Sequence, residues 1–334
     1  MEKKVQWGVL GAANIALKKV IPAMQRGESS QVVAIASRDI NKARQSAEQL
    51  GIRNVYGTYE ELLADPEVEA VYNPLPNHLH VPWTIKAAEA GKHVLCEKPI
   101  GLTAEDARKL LEARDRTGVK IEEAFMVRTH PQWIGVLECI KKGRIGTVRS
   151  IAGCFSYNNR DPKNIRNIAE FGGGALMDIG CYLVYISRLV FAQEPIRAFG
   201  VIVEDPEMRT DVVTSGILDF PEGPSVFSCS TQLVPYQRVQ IFGAAGRIEV
   251  EIPFNAPPDK PCRIFVDSGA DPSGRHAETI EFAVCDQYTI QGDLFSKSIR
   301  EGMALPVPLE GSVQNMAVIE AIFRSAKSGR WERP

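Results

Sequence analysis

The feature that most constrains this chain is its opening run, Val5-Gln-Trp-Gly-Val-Leu-Gly11-Ala12-Ala13-Asn14-Ile15-Ala16. A mostly apolar stretch breaks into small residues, and from Ala16 onward the pattern turns helical. A buried strand that hands over to a helix through nearly bare backbone lets a phosphate reach the first amides of that helix. The spacing Gly11-x-Ala13-x-x-Ala16 keeps a small residue at each fingerprint position, with Ala13 where a central glycine is usual. Small residues at such a turn also serve packing alone, so the motif needs support from residues further along the chain.

That support begins with Gln31-Val-Val-Ala-Ile-Ala36, a continuous apolar run of the kind buried on both faces of a parallel sheet. Residues 17–24 between the two runs supply a short helix. The end of this second strand faces the ribose of a bound dinucleotide, where NAD-binding chains usually place an acid. Here stand Ser37, Arg38 and Lys42, with no carboxylate before Asp39. A hydroxyl and two cations suit a 2′-phosphate, which favours NADP and leaves NAD possible. The alternative is that Arg38 and Lys42 are solvated surface cations.

At 334 residues the chain is long enough for two domains, and its net charge of −2 provides no basic field for nucleic acid or membrane. No run of about 18 apolar residues marks a membrane-spanning helix. Met1-Glu2-Lys3-Lys4 leads straight into the first strand without a signal peptide's apolar core. Seven scattered cysteines form no C-x-x-C pair and read as reduced, mostly buried thiols. A cytoplasmic protein with a small-molecule substrate is expected.

Residues 1–124 alternate strand and helix patterns. A helix spans 60–63, a third strand 70–73, a helix 83–90 closed by Gly91, and a fourth strand 93–96. A helix over 103–117, capped by Thr103 and ended by Gly118, precedes a strand at 119–124. Repeated βα units imply a doubly wound parallel sheet, with chemistry beyond the carboxyl ends of its strands. From residue 125 the texture changes. Helices at 132–141 and after Gly174 precede short strands at 149–157, 196–204, 212–220, 226–234, 238–242 and 247–252. Tight turns at 221–224 and 243–246 make these an antiparallel sheet. The Pro/Asp/Gly-rich residues 256–274 read as a surface excursion, and 286–302 and 312–329 as closing helices. The expected class is α/β: a dinucleotide-binding domain over 1–124 and an α+β domain over 125–334.

Three groups of residues carry chemistry. Cys96-Glu97-Lys98-Pro99 ends the fourth strand, placing a lysine where it can stabilise a developing alkoxide or donate a proton. Pro99 stiffens the exit; a lone lysine ending a strand is otherwise a surface group. Gly172-Gly-Gly174-Ala-Leu-Met-Asp178-Ile-Gly-Cys-Tyr182-Leu-Val-Tyr185 runs from glycines into an apolar helix. Asp178, Tyr182 and Tyr185 share a face, and periodicity does not choose between the tyrosines. A carboxylate there needs a partner, either in a Lys–Asp–Tyr cluster or simply Arg166 or Arg188. Finally, the loop from Pro74 to His80 holds two histidines without a supporting His or Cys cluster, so it is expected to bind cofactor and no metal.

These stretches, with Gly8-Val-Leu-Gly11 and Asn315-Met-Ala-Val-Ile-Glu-Ala-Ile, resemble the glucose–fructose oxidoreductase / inositol dehydrogenase / rhizopine-catabolism (Gfo/Idh/MocA) family over essentially the whole chain. The resemblance implies a Rossmann domain followed by a domain with a large, mostly antiparallel open sheet, through which members form homodimers or homotetramers. It implies that Lys98 is the catalytic lysine and Asp178 the helix carboxylate. Tyr182 stands where many members have histidine, as in the branch containing D-xylose 1-dehydrogenase and dimeric dihydrodiol dehydrogenase, which selects it over Tyr185 as the acid/base group. Glu123-Ala-Phe-Met-Val-Arg128 with Asn164-Ile-Arg166 is similar to the xylose-dehydrogenase-like members, with Val127 replacing their tyrosine. Cofactor contacts are implied for Gly11, Ala12, Ala13, Asn14, Ile15, Ser37, Arg38, Lys42, Pro74, Leu75, Asn77, His80, Glu97, Lys98 and Arg166. Substrate contacts are implied for Lys98, Arg128, Asp178, Tyr182 and Tyr288, with Gln291 nearby. The implied reaction moves hydride between nicotinamide C4 and a carbinol carbon of a sugar or polyol, aldose C1 foremost. A trans-dihydrodiol or dicarbonyl substrate is one alternative. A non-catalytic NADP-binding regulator is another, although a sensor has no use for a lysine, an acid and a phenol together.

Overall fold

The computed structural model describes residues 3–270 and 273–334. Met1, Glu2 and residues 271 and 272 of the Pro/Asp/Gly-rich segment lie outside the described residues. The chain forms two compact units, one comprising the chain to Met126 with Asp286–Val313, the other Val127–Cys285 with Gln314–Pro334.

The first unit is built on six parallel strands: β1 Val5–Leu10, β2 Ser30–Ala36, β3 Asn54–Tyr56, β4 Ala70–Asn73, β5 His93–Cys96 and β6 Ile121–Glu123. Their order, β3-β2-β1-β4-β5-β6, is that of a doubly wound sheet. β1 is buried along its whole length because helices cover both faces. Side chains fix the helix starts. Asp39 accepts from the first-turn amides of Ile40–Leu50, Thr58 and Glu61 form a capping box on Tyr59–Ala64, and Thr103 caps Ala104–Thr117. Gln287–Glu301 also packs here. The Trp7 indole donates to Ser296 Oγ at 3.0 Å, and its ring lies 5.3 Å from that of Phe295. The expected third and fourth strands are the fourth and fifth, because β3 intervenes. Three half-buried residues at a sheet edge are too few to show a period.

The second unit holds eight strands: β7 Val148–Asn158, β8 Arg197–Glu204, β9 Asp211–Phe220, β10 Gly223–Ser230, β11 Gln232–Gly243, β12 Gly246–Val250, β13 Cys262–Asp267 and β14 Glu278–Phe282. The order is β14-β13-β12-β11-β7-β10-β9-β8, antiparallel throughout except where β10 runs parallel to β7. Helices cover one face: Leu183 of Cys181–Phe191 sits over Gly153, and Ile322 of Leu309–Ser328 over Gly200. The other face leaves Val201, Val203, Ile217, Val226 and Tyr236 exposed.

Two expectations are corrected. Residues 226–234 are not one strand: Ser230 Oγ donates to Val212 O and accepts from Gln232 N, turning the chain between β10 and β11. The supposed surface excursion at 256–274 contains β13, whose Cys262, Ile264 and Val266 alternate into the core. The segment Ala169–Phe191 is long and apolar enough to cross a membrane, although 89% of its most apolar window is buried inside the protein. Ile264→Ala should lower the unfolding free energy by about 2–5 kcal/mol in urea titration. An unchanged midpoint would return β13 to the surface.

Candidate functional site

In the first unit, Gly11 leaves β1 with a φ of +93°, and its amide donates to Ala36 O at 2.7 Å. A Cβ at Gly11 would stand 3.0 Å from Leu75 Cδ2. Ala12 is buried, Ala13 and Ile15 are half-buried, and Asn14 is exposed. The turn is therefore a shallow cradle that any Cβ at Gly11 would crowd, and its residues fit a dinucleotide pyrophosphate.

At the end of β2, Ser37 Oγ accepts from Asp39 N at 3.2 Å, while the Asp39 carboxylate turns to Asn41 N and Lys42 N. Arg38 and Lys42 are exposed. The Tyr59 phenol is raised by burial against the pull of the Arg38 cation. Burial, and then the Arg38 charge, lower His78. The cation thus stands beside the loop that follows β4.

That loop is braced by Asn73, which no sequence motif singles out. Its Nδ2 donates to His80 O and Thr84 Oγ1, both at 3.1 Å, and its Oδ1 accepts from Leu75 N at 3.3 Å. His80 is buried, with Nδ1 2.7 Å from Pro99 O and Nε2 2.6 Å from Leu75 O. Burial pushes its imidazole down to about 4, although both carbonyls favour the charged ring. Both ring nitrogens thus face backbone, and the side chain ties the loops after β4 and β5 together. Beyond β5, Tyr72 Oη donates to Glu97 Oε1 at 2.6 Å and Lys98 N donates to Glu97 Oε2 at 3.3 Å. Lys98 is half-buried, and its peptide to Pro99 is cis. Tyr288 packs on the same core, its phenol raised by burial and then by the charges of Glu97 and Asp286. Gln291 is buried on the same helix.

In the second unit, Asp178 lies in a widened turn, Leu176–Gly180, that continues as Cys181–Phe191. Such turns recur at functional sites because the extra residue re-aims the side chains. Arg166 Nε lies 3.0 Å from Asp178 Oδ1, and Tyr157 Oη donates to Oδ2 at 2.6 Å. The acid's partner is therefore Arg166, while Arg188 is held by Glu194 at 2.6 Å. Tyr157, not anticipated, has its phenol driven far up by burial and then by the Asp178 charge. Tyr182 is buried, its ring 6.0 Å from Phe155 and 5.5 Å from Phe254; Tyr185 is buried too. Arg128 is half-buried in the turn Met126–Thr129.

A second acid sets where this helix begins. Asp211 Oδ2 accepts from Leu176 N and Thr214 Oγ1, both at 2.7 Å. Gly174, at φ +117°, admits it, since a Cβ there would fall 1.9 Å from Asp211 Oδ1. Burial pushes Asp211 up to about 6. Among the described residues, no group of three or more His, Cys, Asp or Glu side chains is arranged to hold a metal.

Comparison with known proteins agrees with this architecture. Residues 5–125 match the family model described as "Oxidoreductase family, NAD-binding Rossmann fold", and residues 134–249 match the GFO/IDH/MocA C-terminal domain. The chain belongs to the Gfo/Idh/MocA oxidoreductase family. It is 50% identical to a Rhizobium meliloti protein described as "Uncharacterized oxidoreductase ORF334", covering 98% of each chain. It is 36% identical to D-xylose 1-dehydrogenase (NADP(+)) 2 of Haloferax volcanii, over 97% of this chain and 98% of the other. The structure superimposes on KijD10, a 3-ketoreductase from Actinomadura kijaniata in complex with NADP and TDP-benzene, with a TM-score of 0.89 and 28% identity over 97% and 98% of the two chains.

The folded value of Asp211 lies above that of an unfolded aspartate, so its contribution to stability is complete below about pH 4 and lost as pH rises through about 6. Asp211→Asn removes this titration. Wild-type minus variant unfolding free energy should fall by about 3 kcal/mol between pH 4 and pH 7, measured by urea unfolding across that range. A pH-independent difference would contradict the assignment.

Proposed function

We propose that this chain is an NADP-dependent oxidoreductase acting on a carbinol carbon of a sugar or polyol, with aldose C1 as the leading candidate. The observation that carries the reading is Asp178: both carboxylate oxygens are engaged, one by a guanidinium and one by a phenol, and Tyr182 lies one turn away on the same helix. A carboxylate gripped at both oxygens is fixed in orientation, which suits an orienting role.

NADP, when bound, supplies the hydride acceptor or donor at nicotinamide C4. Gly11, Ala12, Ala13, Asn14 and Ile15 would hold its pyrophosphate, and Ser37, Arg38 and Lys42 its 2′-phosphate. Pro74, Leu75, Asn77, Glu97, Lys98 and Arg166 complete the set assigned to it, with His80 acting only through the loops it ties. Tyr182 takes the substrate hydroxyl proton in oxidation and returns it in reduction. Lys98 lowers the phenol's pKa and steadies the oxyanion, and Asp178 orients the pair. Arg128 and Tyr288 grip the remaining hydroxyls. Val127 presents no hydroxyl of its own, so the sugar bound differs from one read by a tyrosine there. The likeness to KijD10 favours one second reading, reduction of a keto sugar carried on a nucleotide. The exposed Val201, Val203, Ile217 and Val226 suit burial against a second copy of the chain, as homodimer or homotetramer. Seven free cysteines suit the reducing cytoplasm.

A panel of aldoses, polyols, nucleotide-linked sugars and trans-dihydrodiols, run with NADP and NAD and followed by nicotinamide absorbance, tests the assignment. An aldose with NADP should turn over fastest; silence across the panel would leave the binding-only regulator. Lys98→Met should lower kcat on the order of 10²–10⁴-fold while the Kd for NADPH holds. Arg38→Ala should weaken NADPH by about 10–100-fold in fluorescence titration without affecting NADH. Equal losses for both cofactors would remove the 2′-phosphate from its role.

A further inference from the structure

We infer that Glu123 and His80 are positioning residues for Lys98, gripping from opposite edges the peptide unit that follows the Lys98–Pro99 pair. The inference rests on the assignment of Lys98 to the proton chemistry. Glu123 is the last residue of β6, only 1% exposed, and its Oε1 accepts from Ile100 N at 2.8 Å. His80, equally buried, brings Nδ1 to 2.7 Å from Pro99 O. Pro99 O and Ile100 N belong to one planar amide. Its oxygen faces an imidazole and its hydrogen a carboxylate.

Neither grip floats. The second ring nitrogen of His80 meets Leu75 O, and the His80 carbonyl accepts from Asn73. Glu123 pairs with Cys96 in the parallel ladder, and Ala124 N donates to Cys96 O at 2.8 Å. The chain leaving β5 is therefore bracketed by the loop after β4 on one side and by β6 on the other. With the amide of Lys98 turned to Glu97, the chain is held just before the Lys98 Cα and again at the Pro99–Ile100 peptide beyond it. Burying a carboxylate is costly unless it accepts hydrogen bonds. Packing alone would be better met at this strand end by an aliphatic residue.

A double-mutant cycle tests the proposal. Glu123→Ala should lower kcat for the aldose selected by the panel by on the order of 10–100-fold, the scale set by ångström-sized misplacement of a reacting group, while the Kd for NADPH holds. Glu123→Gln keeps an oxygen acceptor for Ile100 N and should recover most of the loss. In a Lys98→Ala background, Glu123→Ala should cost nothing further, since a residue that acts through Lys98 has nothing left to place. Hydrogen–deuterium exchange of the cofactor-free protein gives a readout independent of turnover. Residues 97–102 should exchange faster in Glu123→Ala and at the wild-type rate in Glu123→Gln. Wild-type kcat in Glu123→Ala, or an equal loss with and without Lys98, overturns the positioning role alone. Unimpaired turnover in Lys98→Ala overturns that role together with the reading beneath it. Should Glu123→Ala not fold, His80→Gln carries the same cycle from the oxygen edge. Failure of both to fold assigns the pair to the fold and overturns the proposal.

Discussion

A strand that stops at the carboxyl edge of a parallel sheet leaves peptide groups that the ladder no longer satisfies, and buried peptide groups do not go unpaired. In the first unit this constraint decides most of what lies beyond the strands. Asn73 takes up groups of the loop after β4, His80 joins that loop to the one after β5, and Glu97 receives the amide of Lys98. The side chains that a ligand would meet are carried on backbone already fixed by other side chains. That is how a loop can place a reacting group as reliably as a strand does.

The second unit meets a similar demand with charge. Asp211 accepts from the first free amide of the helix and a neighbouring hydroxyl, and it does so deep enough in the protein to raise its own proton affinity. Two residues after Leu176 stands Asp178, held differently, between a cation and a phenol. Two acids on neighbouring elements are thereby separated in character. One has its proton affinity raised by burial and anchors; the other is paired with Arg166 and Tyr157 and is available to orient.

The range of each interaction decides how much of this was legible in the sequence. The strand–helix handover at Gly11, the helix cap at Thr103 and the Asp178–Tyr182 spacing are local, so they stand in the sequence itself. The supporting residues are not local. Glu123 reaches Ile100, Tyr157 reaches Asp178, and Asp211 reaches Leu176, each across an intervening element whose placement only the folded chain reveals. Composition misled at β13, where prolines, aspartates and glycines on either side hid a short alternating strand. β3 was missed for a plainer reason: three half-exposed residues carry no period. His80 was legible as important, but its partners are carbonyls, which leave no trace in residue identity.

Trp7 lies near the start of the chain, yet its hydrogen-bond partner Ser296 follows 289 residues later. On the ribosome, the nascent chain can form the parallel ladder of the first unit long before that partner has been made. Until then the indole and the floor against which Phe295 packs stay uncovered. The first unit is thus sealed only after residues 127–285 of the second have been translated, and its maturation is tied to their synthesis.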